Sequence, residues 1–455
     1  MNRGFVFKTI KGNYYFYNDD NCMVEQSDKN NEEILWGEDC FELRRIDNKE
    51  TKSILSQIQT KQLILNVTED CNMRCQYCAY SGGYSNNRTH RKIYMSKDIA
   101  IMAVEKYLQS YNEKKKYNIL AQPIISFFGG EPLLCFDLIK DVIEYIKLHF
   151  DTDVTYTITT NGTLLNKENI KFLVENNIDL SVSLNGDKKE HDRLRIYENE
   201  KGTFDVIEKR LQYILTTYPK YYKEKVYFSV VYDTGSDLVE LRNFFMQKEL
   251  VKDKVASFSE VISSFTDWYE RYDEKTKNKF YNDSQLLKEI FTSQVLKNEH
   301  LETDAILKKL FYDTYFVLLN RVMGRHQRFS ILPYTGACIP GNKISVGCNG
   351  DLYICEKVNC ANKIGNVNSW LDISKITNLL NEYNQIGEKC INCPIKNLCP
   401  VCYRMLMDEN GKVDKKQLQI CDNIIHQYRE AFKDIYSFME NGIDVNRVFL
   451  TKKIN

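Results

Sequence analysis

The chain has 455 residues, 62 Lys and Arg against 62 Asp and Glu, and 43% hydrophobic residues. That length predicts two to three domains with sizeable cores, and the balanced charge gives no argument for nucleic acid or an anionic membrane surface as the main partner. No apolar run reaches about 18 residues, so no transmembrane helix is predicted, and residues 1–8 lack the continuous apolar core of a signal peptide. A cytoplasmic location is therefore expected. There are 15 cysteines, most of them in two regions. In a cytoplasmic chain such clusters read as metal sites rather than disulfides.

In chain order, Phe5-Val6-Phe7-Lys8-Thr9-Ile10 and Tyr14-Tyr15-Phe16-Tyr17 flank Lys11-Gly12-Asn13, which predicts a β-hairpin. This N-terminal module is either a decoration or a peptide-docking element, since a hairpin edge accepts a ligand strand. The apolar run 63–67 reads as a buried strand. Directly after it comes Cys71-Asn-Met-Arg-Cys75-Gln-Tyr-Cys78. Three thiolates on one short loop can converge on one small object. Four would close a structural zinc site; three leave one iron of a four-iron cluster free to bind something that reacts. A zinc or disulfide loop is the other reading.

Strand-like runs then recur at 124–128, 154–159, 180–184 and 226–232. Helical segments alternate with them at 97–108, 138–148, 170–175, 204–215 and 238–248, the first capped by Ser96. This alternation predicts an α/β fold, a parallel sheet of βα units with functional loops at the carboxyl ends of the strands. Those loops contain Gly129-Gly130-Glu131, Asn161-Gly162, Ser183-Leu184-Asn185-Gly186 and Arg195. Two glycines let a backbone approach a ligand, Glu131 can accept from an ammonium, and an arginine fork suits a carboxylate. Ordinary turns and solvent-facing charges are the plain alternatives. Residues 256–330 read as a helical bridge whose Trp268, Tyr269 and Tyr272 belong to a core, and the lone His326 reads as structural.

Cysteine density rises again from Cys338. A second hairpin is predicted around Asn349-Gly350, with Cys355 five residues after Gly350. Cys390-x2-Cys393-x5-Cys399-x2-Cys402 and then Cys421 give two C-x2-C pairs, a metal signal for which zinc is one answer. Cys22, Cys40 and Cys135 read as ordinary thiols.

The C-x3-C-x2-C loop, with Tyr77 before its third cysteine, resembles the signature of the radical S-adenosylmethionine enzymes. That resemblance implies a partial (β/α)6, TIM-like barrel and a 4Fe–4S cluster held by Cys71, Cys75 and Cys78, with S-adenosylmethionine on the fourth iron. It further implies cofactor contacts from Tyr77, Gly129, Gly130, Glu131, Asn161, Ser183 and Arg195. In the family, one electron converts the sulfonium to methionine and a 5'-deoxyadenosyl radical, which takes a hydrogen atom from substrate; the protein supplies aim and seclusion. The C-terminal cysteines resemble a SPASM domain, implying two auxiliary 4Fe–4S clusters. The first would take Cys338, Cys355 and Cys402, the second Cys390, Cys393, Cys399 and Cys421. No cysteine stands shortly before Cys338, so Cys348 or Cys360 supplies a fourth ligand, or that iron stays open.

The expected organisation is an N-terminal module (1–60), a radical core (61–255), a helical insertion or bridge (256–335), a SPASM domain (336–430) and a tail (431–455). The resemblance implies a leader-capturing module at the N-terminus, for which residues 1–60 are short. It also implies a maturase of ribosomally made, cysteine-containing precursor peptides that forms a thioether, reduced by flavodoxin or ferredoxin. Formylglycine generation in sulfatases and carbon–carbon cross-linking use the same parts. A zinc-stabilised binding module without turnover is the expectation from a different class. No general base is apparent.

Overall fold

The computed structural model describes residues 3–38, 44–85, 87–116, 120–297, 304–324, 340–357, 362–383 and 386–450. Cys40, His326, Cys338 and Cys360 lie outside the described residues. The chain forms two compact units. One comprises Met1–Asp47, Gln285–Ile339 and Thr377–Asn455; the other comprises Asn48–Ser284 and Pro340–Ile376. The five segments expected from sequence do not map one to one onto these units, since 336–430 is shared between them.

The first unit is built on an antiparallel sheet of β1 (Gly4–Lys8), β2 (Tyr14–Asn18), β3 (Met23–Gln26) and β4 (Ile34–Leu35), in the order β3-β2-β1-β4. The expected hairpin is present, with Phe5 opposite Tyr17 and Phe7 opposite Tyr15. Four aromatic rings on two paired strands make an apolar face that water cannot satisfy. The helix Gln419–Glu440 covers it. Its Ile424, Ile425, Tyr428, Phe432, Ile435 and Phe438 are buried at helical spacing, and Phe432 stacks on Tyr17 at 5.0 Å between ring centroids. Residues from the two ends of the chain thus share one core.

The second unit carries a ten-stranded sheet. Its centre is six parallel strands in sequential order: β5 (Gln62–Thr68), β6 (Ile124–Gly129), β7 (Thr155–Thr160), β8 (Asp179–Ser183), β9 (Val226–Tyr232) and β10 (Val255–Glu260). Helices Lys97–Lys115, Phe136–His149, Lys167–Glu175, Phe204–Thr217 and Leu238–Gln247 fall between successive strands. Several helices start at a residue that accepts from the N–H three positions on: Ser96, Asn166, Asp187 and Asp237. These local signals are why the strand–helix alternation was legible.

The sixth strand was not. β10 opens the stretch read as helical, because Val-Ala-Ser-Phe-Ser-Glu has one buried residue and two exposed ones at its end. It pairs parallel with β9 and completes the series. Trp268, read as a core aromatic, is buried with Leu194 and Val261. The second hairpin is also present, as β11 (Lys343–Val346) and β12 (Asp351–Tyr353). It extends the same sheet: β11 lies parallel to β5, and β13 (Lys363–Asn366) and β14 (Trp370–Leu371) continue outward. No helix among the described residues is long and apolar enough to cross a membrane.

Candidate functional site

β5 ends at Thr68, and the cysteine loop follows. The loop is anchored by a second segment. Arg74 and Gln76 donate their N–H groups to the carbonyls of Ile196 and Leu194, at 2.8 and 2.9 Å, and Met73 bridges to Tyr197. That pairing places Arg195 beside the thiols. Burial pushes the Cys71 thiol up to about 12 and the Cys78 thiol up to about 11, and neighbouring cysteines add to both shifts. The Met73 and Tyr80 N–H groups point at the sulfurs of Cys71 and Cys78, each at 3.4 Å. His90 Nε2 lies 3.7 Å from Cys78 Sγ. Buried, mutually repelling thiols that receive N–H donors are groups that become thiolates when a cationic centre binds them. With Cys75, these thiols are the donor type and number that an iron–sulfur cluster with one iron left open takes.

The glycines of the next loop meet the cysteine loop closely. A Cβ on Gly129 would stand 2.3 Å from the Thr68 carbonyl oxygen, and one on Gly130 would stand 2.0 Å from that of Asp70. The close approach is to the cysteine loop itself. Gly130 and Glu131 donate their N–H groups to Thr68 and Asp70, both at 2.9 Å. The Glu131 carboxylate is wholly buried. It accepts from the N–H of Leu133 (3.0 Å), the hydroxyl of Thr160 (2.6 Å) and the N–H of Asn161 (2.7 Å). Burial raises its pKa against the pull of those bonds. Glu131 therefore braces the end of β6 against the end of β7. Glu131→Gln turns an amide N–H2 toward donors already in place, at a cost of about 2 kcal/mol. For a unit of this size we expect melting about 5 °C lower, measured by thermal unfolding; an unchanged midpoint would refute the brace.

Asn161, at the end of β7, reaches back to the cysteine loop. Its Nδ2 donates to Asn72 Oδ1 at 2.9 Å and lies 3.9 Å from Cys71 Sγ. Asn72 in turn donates to the Thr163 hydroxyl at 2.8 Å. A pocket of about 550 Å³ opens here, lined by Asn72, Tyr197, Glu198 and Asn199. Ser183 ends β8, half-buried, with no side-chain hydrogen bond among the described residues. Two residues on, Asn185 donates to the Tyr77 hydroxyl at 3.2 Å.

Arg195 is buried, and its Nη1 donates to the same Tyr77 hydroxyl at 2.7 Å. Burial alone would lower its pKa; Cys75, Tyr77 and Cys71 hold it above the ordinary value. Its Nε has no hydrogen-bond partner. A buried guanidinium N–H beside the thiols, left without an acceptor, fits an anionic ligand group. Its backbone is held as firmly: its N–H donates to the His191 carbonyl, and its carbonyl accepts from Thr203. Tyr77 thus positions the arginine. Asn72, His90 and Thr163 were missed, because no spacing or motif marks them, and Asn185 was read only as part of its loop.

In the other unit, Cys390 and Cys399 lie near enough to act on Cys393, and Cys390 and Cys421 on Cys399. Burial pushes the Cys399 thiol up to about 12, helped by Cys390 and Cys421; Cys393 is raised by burial, Cys399 and Cys390. Cys402 belongs to this unit and Cys355 to the barrel unit. Cys348 is buried, and its thiol donates to the Asn66 carbonyl at 3.1 Å.

Residues 65–244 match the Radical SAM superfamily model. A cysteine-type anaerobic sulfatase-maturating enzyme of Clostridium novyi (strain NT) is 35% identical over 148 residues, 32% of this chain and 37% of that one. One from Clostridium perfringens (strain 13 / Type A) is 24% identical over 405 residues, 83% of this chain and 98% of that one. Relatives matched at 30–35% identity are spanned for only 31–49% of their length. The solved structure described as native anSMEcpe with bound AdoMet and Cp18Cys peptide superposes with a TM-score of 0.55 at 19% identity, over 82% of this chain and 99% of that one; it shares the fold. With a thiol trio at the end of β5 and the loops of β6, β7 and β8 gathered around it, residues 65–244 are a radical SAM domain.

Proposed function

We propose that this protein is a radical S-adenosylmethionine enzyme that modifies a ribosomally made peptide, joining a cysteine sulfur to a carbon as a thioether. The observation that carries the enzyme reading is the buried Arg195, with Nε unpartnered, beside the half-buried thiols of the cysteine loop. Cys71, Cys75 and Cys78 would hold the cluster, and Arg195 and Ser183 would orient the cofactor. When bound, a reduced 4Fe–4S cluster with S-adenosylmethionine supplies a carbon radical able to take a hydrogen atom from an unactivated C–H bond. The chain's own part is to seat those groups at the strand ends and exclude water from them.

Forming a C–S bond removes a hydrogen atom from carbon, a proton from the thiol and one electron. Cys390, Cys393, Cys399 and Cys421, half-buried in the other unit, are suited to hold a redox centre that takes that electron. A flavodoxin or ferredoxin would supply the initiating electron, which suits a reducing cytoplasm.

A peptide substrate is supported by the sulfatase-maturating relatives and by the peptide held in the solved structure of the same fold. Those relatives support formylglycine formation equally well. The test is anaerobic co-expression with a cysteine-rich peptide encoded beside the gene, read by mass spectrometry. Loss of two hydrogens with a blocked thiol is the expected result. Replacement of the thiol by an aldehyde oxygen would overturn the thioether and keep the enzyme class.

A further inference from the structure

We propose that His191 and Thr203 are positioning residues for S-adenosylmethionine, closing a ring of hydrogen bonds that fixes Arg195 and Tyr77 for the methionine carboxylate; this rests on the enzyme reading above. The ring can be followed atom by atom. Asn185 donates its N–H to His191 Nδ1 at 3.2 Å. That leaves the imidazole proton on Nε2, 3.0 Å from the Thr203 hydroxyl oxygen. The Thr203 hydroxyl donates onward to the Arg195 carbonyl at 3.0 Å. Arg195 Nη1 and Asn185 Nδ2 both donate to the Tyr77 hydroxyl oxygen, at 2.7 and 3.2 Å, which completes the circuit.

Each member is pinned from outside the ring. His191 and Thr203 are fully buried, so a donor that loses its acceptor there finds no water. Asp192 accepts from the N–H groups of Thr203 and Phe204, at 2.8 and 2.9 Å. Val231 donates its N–H to Asn185 Oδ1 at 3.1 Å, tying the ring to β9. Burial, with the Arg195 charge nearby, holds the His191 pKa well below its ordinary value. The circuit needs that neutral form, since an imidazolium would turn a second N–H against the Asn185 N–H. Two donors stay unspent among the described residues: the Arg195 Nε–H and the Tyr77 O–H, whose oxygen already accepts twice. The Arg195 backbone is tied down without the ring, through its N–H on the His191 carbonyl and through the carbonyls of Leu194 and Ile196 on the cysteine loop. What the His191 and Thr203 side chains add is a fixed relation between the two unspent donors, and neighbouring donors, one of them charged, suit a carboxylate.

The test is equilibrium binding of two probes to the anaerobically reconstituted protein: S-adenosylmethionine, and 5'-methylthioadenosine, which has no carboxylate. Thr203→Val keeps the shape and loses the hydroxyl. There we expect S-adenosylmethionine to bind about tenfold more weakly, the scale of coupling within one network, and methylthioadenosine to bind as in wild type. Thr203→Ser restores the hydroxyl and most of the affinity. The control is Tyr221→Phe, which takes a buried hydroxyl from the Ile178 carbonyl in the same unit; it lowers the melting temperature and leaves both affinities alone. Wild-type affinity for S-adenosylmethionine in Thr203→Val overturns the proposal. So does an equal loss for both probes, or the same loss in Tyr221→Phe, since either marks a merely structural role. If Thr203→Val does not fold, His191→Gln decides. It keeps a donor toward Thr203 and gives up the acceptor for Asn185, so a several-fold loss is expected and wild-type affinity overturns the proposal. A wild-type protein that binds no S-adenosylmethionine sinks the enzyme reading, and this proposal with it.

Discussion

Cys71→Ala is expected to lose 5'-deoxyadenosine release, by about a thousandfold or more, the scale of deleting a catalytic group. Cys71 leads a loop in which burial and neighbouring cysteines raise the Cys71 and Cys78 thiols, and each of the three cysteines is needed to hold one corner of a cluster. Two thiols cannot hold the cluster in the orientation that leaves one iron open. Thermal unfolding should change little, because the side chain is small and half-buried and the loop is held by backbone bonds to residues 194–197. The measurement is anaerobic incubation with S-adenosylmethionine and dithionite, followed by chromatography of the nucleoside. Continued release would reject the site. A colourless wild-type protein that carries zinc and releases nothing would favour a binding module without turnover.

Arg195→Met is expected to weaken S-adenosylmethionine binding about a hundredfold, within the ~2–5 kcal/mol that truncating one partner of a buried charge pair costs. The guanidinium has one N–H on Tyr77 and an Nε with no acceptor. A carboxylate would satisfy that donor and the charge at once. Arg195→Lys keeps the charge without the planar fork and should fall between the two. Equilibrium binding to the reconstituted protein is the readout. A structural arginine predicts the opposite pattern, with affinity retained and melting temperature lowered. Tyr77→Phe separates the two further, because it frees the guanidinium without removing the charge.

Much of this site was legible from residue order. The C-x3-C-x2-C spacing after an apolar strand marked the trio, and the strand–helix alternation placed the later loops at strand ends. The close partners were not legible. Nothing in Gly129-Gly130 says that the cysteine loop is a neighbour they admit. Nothing in Glu131 says that its carboxylate is spent on Leu133, Thr160 and Asn161. His90 is an unremarked residue in a basic stretch until the pairing of 93 with 69 lays it against Cys78.

The sequence by itself determined the periodic elements, their caps and the cysteine spacing, because hydrophobic period, capping and loop length act over a few residues. Tertiary structure alone decided what meets across long separations: β10 in the sheet despite its polar residues, β11 beside β5, and the helix Gln419–Glu440 on the aromatic face of the first hairpin. Those outcomes depend on which apolar faces remain uncovered once the local elements exist, and burial rewards any face that fits, however distant in the chain.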